Sequence, residues 1–258
     1  MIKLVRSSAP TQLSTAIVAQ KVAQYKATGD AVWKEPYITR ALMAMSHDKC
    51  CYCECNICEE SKYLEVEHFH DKKRYPDEVV NWDNLLPSCK RCNSKKGRHD
   101  TVAEPMIDPA KEDPREHMIL LRGTIFRPRD EKGRTTIEVL FLNDPKRLAP
   151  ERFTISAELA EKVEELRARA GNLRAGISSG GVFERKLING VTDLLQSCCP
   201  TESFSAVKAT VVLSDFVSLY EEDFRNMNTT SSEQGIKLIK RDSNKNWALH
   251  IQYCFIYF

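Results

Sequence analysis

The stretches that decide the fold are KCCYCE at residues 49–54 and NWDNLLPSCKRCNSKKG at residues 81–97. Each contains one Cys-x-x-Cys pair. Four thiolates from two such pairs form the tetrahedral sulfur shell that structural zinc prefers. The chain has ten cysteines, seven of them between residues 50 and 92, and this density is typical of metal binding in a reducing compartment. We therefore predict a zinc site formed by Cys50, Cys53, Cys89 and Cys92.

A third pair, Cys55/Cys58, competes with Cys50/Cys53 for the first half of this site. We prefer the earlier pair because the aromatic-cysteine step Tyr52-Cys53 suits a tight turn. Ordinary thiols or a redox pair are the alternatives to zinc, and two matched pairs favour zinc over both. Four protein ligands leave no open position for water, so the predicted ion is structural.

Composition and charge exclude several classes of protein. The chain has 258 residues, 42% of them hydrophobic, which is enough to bury a core and argues against disorder. Its net charge of +2 does not by itself indicate a nucleic-acid binder. No apolar run approaches the roughly 18 residues of a membrane span, and the N-terminus lacks the apolar stretch of a signal peptide. We expect a cytoplasmic protein without membrane contact.

Hydrophobic periodicity predicts helices at both ends of the chain and strands between them. Helices are predicted over residues 11–27, from Pro36 to Met45, over 155–166, 182–197 and 204–226. Short strands are predicted over 63–68 and 85–86, followed by a turn and a helix that stops at Gly97. We expect an extended connector over 101–116, β-hairpins over 117–142 and an apolar end after Trp247.

The segment between and after the cysteine pairs carries a carboxylate, an imidazole and two carboxamides, in Glu67, His68, Asn84 and Asn93. These groups suit metal-assisted phosphodiester hydrolysis. An imidazole accepts a proton from water near neutral pH. Oxygen ligands such as those of Glu67 and Asn93 suit Mg²⁺, which stabilises charge on a phosphate. A single histidine is usually structural, and it is the ordered pattern around His68 that favours catalysis.

Residues 88–98 are strongly basic and contain no acid. A solvated helix face is the usual fate of such a run. Its place beside the proposed site favours contact with phosphates instead, positioning a backbone rather than reading sequence. The candidate side chains are Lys90, Arg91, Lys95, Lys96 and Arg98.

The order of these motifs resembles the HNH endonuclease signature in its four-cysteine form. The matching stretches are KCCYCE, YLEVEHFHDKKRYP at residues 63–76, and NWDNLLPSCKRCNSKKG. Val66-Glu67-His68-Phe69, Tyr75-Pro76 and the segments EPMIDPAKEDP and TIEVLFLN look more narrowly like the HNH proteins of retron and Septu anti-phage systems. The resemblance covers about residues 38–155.

The resemblance implies a role for each matching residue. His68 falls at the general base, Asn84 at the asparagine that ties the loop between the strands, and Asn93 at the last member of the triad. Glu67 falls at an acidic metal ligand that is more often Asp. It also implies an α+β fold with a ββα-metal, treble-clef-like core at about residues 50–100.

That core would lie in a nuclease domain over residues 1–142, with N-terminal helices and β-hairpins. Residues 143–258 would then form a mostly helical region that binds a partner. The family implies an ATPase partner, and in retrons a reverse transcriptase with its DNA product. Any ATP would be bound by that partner, because the chain has no Gly-rich phosphate-binding motif.

Three other functions compete with a DNA endonuclease. A non-catalytic zinc module would bind nucleic acid or protein, but it has no need of His68 together with Asn93. An RNA-directed nuclease, acting for example on tRNA, would use the same site. DNA is favoured because water activated by His68 needs no ribose 2′-hydroxyl. A thiol redox protein is disfavoured, because the four thiols of the predicted site would have to be free of metal.

Overall fold

A computed structural model describes residues 1–58 and 64–214 of the chain. Its helices are α1 (Thr15–Thr28), α2 (Pro36–Ser46), α3 (Lys90–Lys96), α4 (Pro114–His117), α5 (Glu131–Val139), α6 (Leu148–Arg174) and α7 (Gly181–Ser197). Its strands are β1 (Leu64–His68), β2 (Leu85–Cys89), β3 (Met118–Leu121) and β4 (Ile125–Pro128). Residues 205–214 are also helical. The predicted α+β class is confirmed. The predictions for Tyr63, for 215–226 and for the end after Trp247 lie outside the described residues.

The strands β1 and β2 form an antiparallel hairpin that carries the second cysteine pair. Leu64 lies opposite Cys89, and His68 lies opposite Leu85. Both strands are at the edge of this two-stranded sheet, where Pro87 is tolerated although it cannot donate a ladder hydrogen bond. The Pro87 carbonyl accepts a hydrogen bond of 2.9 Å from the Cys51 amide. This contact fastens the first cysteine pair to the hairpin.

Helix α3 begins where β2 ends. The Cys89 side chain caps it by accepting from the Cys92 amide, and Gly97, with φ +55°, follows its last residue. The predicted helix stop at Gly97 is confirmed. The second strand is longer than predicted and reaches Cys89, so this cysteine both ends a strand and starts a helix.

The N-terminal helices pack around the hairpin. Helix α1 is capped by Ser14 and begins later than predicted, and Gly29, with φ +75°, ends it. Pro36 opens α2 in the first turn, as predicted, and α2 contacts both strands of the hairpin. Apolar side chains of α1 pack against Val79 and Val80 in the loop that joins β1 to β2.

The prediction of β-hairpins throughout residues 117–142 is wrong in its second half. Strands β3 and β4 form one hairpin, but 131–139 is helix α5. The Asp130 side chain accepts a 2.8 Å hydrogen bond from the Gly133 amide, and this N-cap overrides the alternating pattern. The predicted connector over 101–116 likewise ends in α4, which Asp113 caps.

The chain forms two compact units. Among the described residues, the first comprises 1–58, 64–121, 125–150 and 201–204, and the second comprises 122–124, 151–200 and 205–214. The second unit has its own core, in which α6 contributes Val163 and Leu166 and α7 contributes Leu194. In the described ranges, none of the helices is both long and apolar enough to cross a bilayer.

Candidate metal centre and catalytic site

The thiols of Cys50, Cys53, Cys89 and Cys92 meet in the interior of the first unit. All four are buried, and their sulfur atoms lie within 4.8 Å of one another. A zinc–sulfur bond of about 2.3 Å would set the sulfurs of a tetrahedral site about 3.8 Å apart. The sulfurs of Cys53 and Cys89 are 3.8 Å apart. The donor set and its spacing therefore fit zinc.

Two elements bring these thiols together. The first pair lies in a turn after α2 that closes with hydrogen bonds from the Cys50 amide to the Cys55 carbonyl and from the Glu54 amide to the Cys50 carbonyl. The second pair lies at the junction of β2 and α3. Contact with Cys50 raises the pKa of Cys89, but hydrogen bonds from neighbouring thiols outweigh it and lower this pKa to about 4. A thiolate is the form that binds zinc.

The competing pair lies outside this group of four. Cys58 is exposed, and Cys55, although buried, is not among the mutually close thiols. The Cys55 sulfur is 3.4 Å from that of Cys53.

His68 lies at the end of β1 and is 4% exposed. Its Nε2 is 2.9 Å from the Val79 carbonyl oxygen, and its Nδ1 is buried without a hydrogen-bond partner among the described residues. The Trp33 ring packs edge-on against the imidazole, with the centroids 4.8 Å apart. Burial, followed by the charge of Lys72, lowers the pKa of His68 to about 3. The imidazole is therefore neutral at physiological pH.

Glu67 pairs with a lysine of α3. Its Oε1 is 2.6 Å from the Lys96 Nζ, an ion pair without the angles of a hydrogen bond, and both side chains are almost fully buried. The same ammonium donates a hydrogen bond of 2.8 Å to the His68 carbonyl oxygen. Burial raises the pKa of Glu67 to about 7, although the Lys96 charge acts in the opposite direction.

The two predicted asparagines have separate partners. Asn84 accepts a hydrogen bond of 2.7 Å from the His70 amide and donates to the carbonyls of His70 and Glu78, so it ties the loop between the strands. Asn93 donates to the Glu65 carboxylate. The structure thus pairs Asn93 with Glu65 and Glu67 with Lys96. It gives no hydrogen bond between Asn93 and either Glu67 or His68 among the described residues.

The five predicted phosphate-binding residues divide into two groups. Arg91 bonds to the carbonyls of Leu140 and Phe141 and to the Asp144 carboxylate, and Lys96 is buried on Glu67. Both therefore serve internal contacts. The side chains that remain at the surface are Lys90, Lys95 and Arg98.

Sequence reasoning missed the partners of the predicted residues. Lys96 follows Asn93 by one helical turn, and Glu65 precedes Glu67 by two strand positions. This spacing places Asn93 and Lys96 on one face of α3, and Glu65 and Glu67 on one face of β1. This spacing is the signal in the sequence that could have predicted the pairing of α3 side chains with β1 side chains. Trp33 gave none, because its contact with His68 depends on tertiary structure.

The fold and this centre define an α+β protein in which a buried four-thiol cluster joins the turn after α2 to the junction of β2 and α3. No family model matches the chain. The Septu protein PtuB of Bacillus thuringiensis is 44% identical to the chain over 223 residues, which cover 86% of each protein. The Septu protein PtuB of Bacillus mycoides (strain KBAB4) is 24% identical over 251 residues, which cover 78% of this chain and 82% of the relative. The chain belongs to the Septu PtuB family.

Proposed function

We propose that the chain is an HNH endonuclease that hydrolyses phosphodiester bonds, with His68 as the general base and a ββα-metal core. The observation that carries this proposal is the geometry of the buried His68 imidazole, which has Nε2 on the Val79 carbonyl and Nδ1 without a hydrogen-bond partner among the described residues. When Nε2 carries the proton and donates to Val79, Nδ1 keeps a lone pair that can take a proton from water.

Trp33 controls access to this lone pair. Nδ1 is buried, so water would reach the base only when a neighbouring side chain moves, and the Trp33 ring that packs on the imidazole is the cover we propose. Lys72 lies over the Trp33 ring, with its Nζ 5.0 Å from the ring centroid. A phosphate that attracts Lys72 would loosen this cover.

Zinc has a structural role in this proposal. Bound by Cys50, Cys53, Cys89 and Cys92, it would hold the turn after α2 to the start of α3 and so fix Asn93. A catalytic Mg²⁺ on Glu67 does not fit the contacts of this residue, because its carboxylate is buried on the Lys96 ammonium. Asn93 donates to Glu65 through its amide nitrogen, and this hydrogen bond does not use its Oδ1, the atom through which a carboxamide binds a metal.

The substrate is proposed to be nucleic acid, with DNA preferred. Lys90, Lys95 and Arg98 would contact phosphates and position the backbone without reading its sequence. Attack by water needs no 2′-hydroxyl, which favours DNA over RNA. The experiment is designed to distinguish this function from an RNA-directed nuclease and from a non-catalytic zinc module.

Membership in the PtuB family supports a role in anti-phage defence together with an ATPase, and in a retron setting with a reverse transcriptase and its DNA. We propose the helical region from residue 143 as the part that binds this partner. Apolar side chains are exposed at the start of α7, where Val182 is 55% and Phe183 is 49% exposed. Such exposure on a helix with its own packed face is typical of an interaction surface.

The test compares His68→Ala with His99→Ala on supercoiled plasmid DNA and on tRNA, with the ATPase partner present. His99 is a matched control, because the contacts of its side chain are with Glu104 and not with the proposed site. We expect His68→Ala to lose at least a hundredfold in cleavage while keeping its zinc and a cooperative thermal melt. His99→Ala should cleave like the wild type.

The other outcomes separate the alternatives. Equal cleavage by His68→Ala and the wild type would overturn the catalytic assignment. Cleavage of tRNA alone would favour the RNA-directed nuclease. Nucleic-acid binding without cleavage of either substrate would favour the zinc module.

A further inference from the structure

Two side chains of α3 are matched to two side chains of β1. Asn93 donates to Glu65, and the Lys96 ammonium lies 2.6 Å from Glu67. Because Asn93 and Lys96 are one helical turn apart and the two glutamates are two strand positions apart, the pairs lie side by side. Glu67, one of the two residues expected to hold a divalent ion, thus already lies against an ammonium of the protein.

The Lys96 side chain is 1% exposed, and the Glu67 side chain is 2% exposed. A buried ammonium is tolerated only when carboxylates or carbonyls compensate its charge. Lys96 has two such groups, the Glu67 carboxylate and the His68 carbonyl oxygen at 2.8 Å. A divalent ion on Glu67 would draw this carboxylate from the lysine and place two like charges together in the interior.

Lys96 also holds the backbone of His68 through its hydrogen bond to the His68 carbonyl oxygen. This carbonyl belongs to the residue whose side chain is the proposed base. By holding both Glu67 and the backbone of His68, one ammonium fixes the end of β1 against α3. The orientation of the imidazole on the opposite face of the strand depends on that backbone.

We propose that the Lys96 ammonium is the resident cation of Glu67, so that Glu67 is a positioning residue and not a ligand of a divalent ion. The positioning role of Glu67 rests on the proposed function of His68. Whether Glu67 binds a divalent ion does not depend on that function, because ion binding is measured without any cleavage.

The experiment measures binding of Mn²⁺ to the zinc-loaded full chain by the loss of the electron paramagnetic resonance signal of free Mn²⁺. Mn²⁺ prefers oxygen ligands and competes poorly for thiolates, so the zinc site does not interfere. The variants are Glu67→Gln, Lys96→Met, the double variant, and Lys95→Met. Lys95 is the matched control, because it carries the same charge on the same helix end but is exposed.

If the wild type binds Mn²⁺ measurably, we expect Glu67→Gln to change the dissociation constant less than twofold. If the wild type binds none, we expect none for Glu67→Gln either. Lys96→Met should bind Mn²⁺ at least tenfold more tightly than the wild type, because it frees a buried carboxylate. The double variant should lose this gain, and Lys95→Met should show none. A lysine with a merely structural role would not create an ion site that depends on Glu67.

Two results would overturn the proposal. One is a tenfold or greater loss of Mn²⁺ affinity in Glu67→Gln. The other is a folded Lys96→Met protein that binds Mn²⁺ no better than the wild type. Should Lys96→Met fail to fold, as judged by its thermal melt, the comparison of Glu67→Gln with the wild type decides. Failure of the nuclease proposal would appear separately, as unchanged cleavage by His68→Ala.

Discussion

The buried imidazole of His68 predicts a specific acid sensitivity of the fold. Burial and Lys72 lower its pKa to about 3, whereas a histidine in the unfolded chain has a pKa of about 6.5. Between these values the unfolded chain binds the proton and the folded chain does not, so acid favours unfolding. The contribution of His68 is fully present above pH 6.5 and is lost as the pH falls toward 3.

The magnitude follows from these two pKa values. Between pH 7 and pH 5 the protonated fraction of this site in the unfolded chain rises from about a quarter to nearly one, while the folded chain stays almost unprotonated; integrated over this range, the difference costs about 2 kcal/mol. The pH titrations of all other groups cancel when the wild type is compared with His68→Gln. The difference between their free energies of unfolding should therefore change by about 2 kcal/mol over this range.

Urea denaturation at pH 7, 6 and 5 measures this difference. Zinc content is checked at each pH, because both proteins must keep the same metal state for the comparison to hold. If this difference changes by less than about 0.5 kcal/mol, His68 is accessible to solvent or already protonated in the folded chain. Its imidazole would then not be held neutral by burial.

The remaining predictions concern packing and charge in the first unit. Gly133→Ala should destabilise the fold by several kcal/mol in urea denaturation, because the added Cβ would lie 2.0 Å from the His117 carbonyl oxygen; a loss under about 1 kcal/mol would contradict this. Arg91→Ala should cost roughly 1–3 kcal/mol in the same assay, because it removes the guanidinium that donates to the Asp144 carboxylate and to two carbonyls, and an unchanged midpoint would refute that role. Replacing the three surface cations with alanine should reduce the slope of log affinity for DNA against log salt by up to about 3, and an unchanged slope would exclude them from phosphate contact. These cations are Lys90, Lys95 and Arg98.

Local signals predicted those parts of the fold that depend on neighbouring residues. Gly97 ended α3 because glycine readily adopts its backbone conformation, and Pro36 opened α2 because the first helical turn needs no amide donor. The alternation in 131–139 misled the strand prediction, since the Asp130 cap supplied a helix start that outweighed it. The prediction failed where two local signals conflicted.

The candidate site was predictable in its residues but not in their pairing. The spacing of the two Cys-x-x-Cys pairs was enough to predict which four thiols cluster. The partners of Glu67 and Asn93 depend on which face of β1 meets α3, and only tertiary structure settles that choice. The cover of His68 by Trp33 likewise joins segments that have no sequence pattern in common.

We expect the four clustered thiols to hold one zinc ion that fastens the turn after α2 to the start of α3. Elemental mass spectrometry of the purified chain measures this zinc. We predict one zinc per chain in the wild type and in Cys58→Ser, and less than about a fifth of that in Cys92→Ser. A wild-type chain that carries well under half an equivalent, or a Cys92→Ser chain that keeps its full zinc, would contradict it.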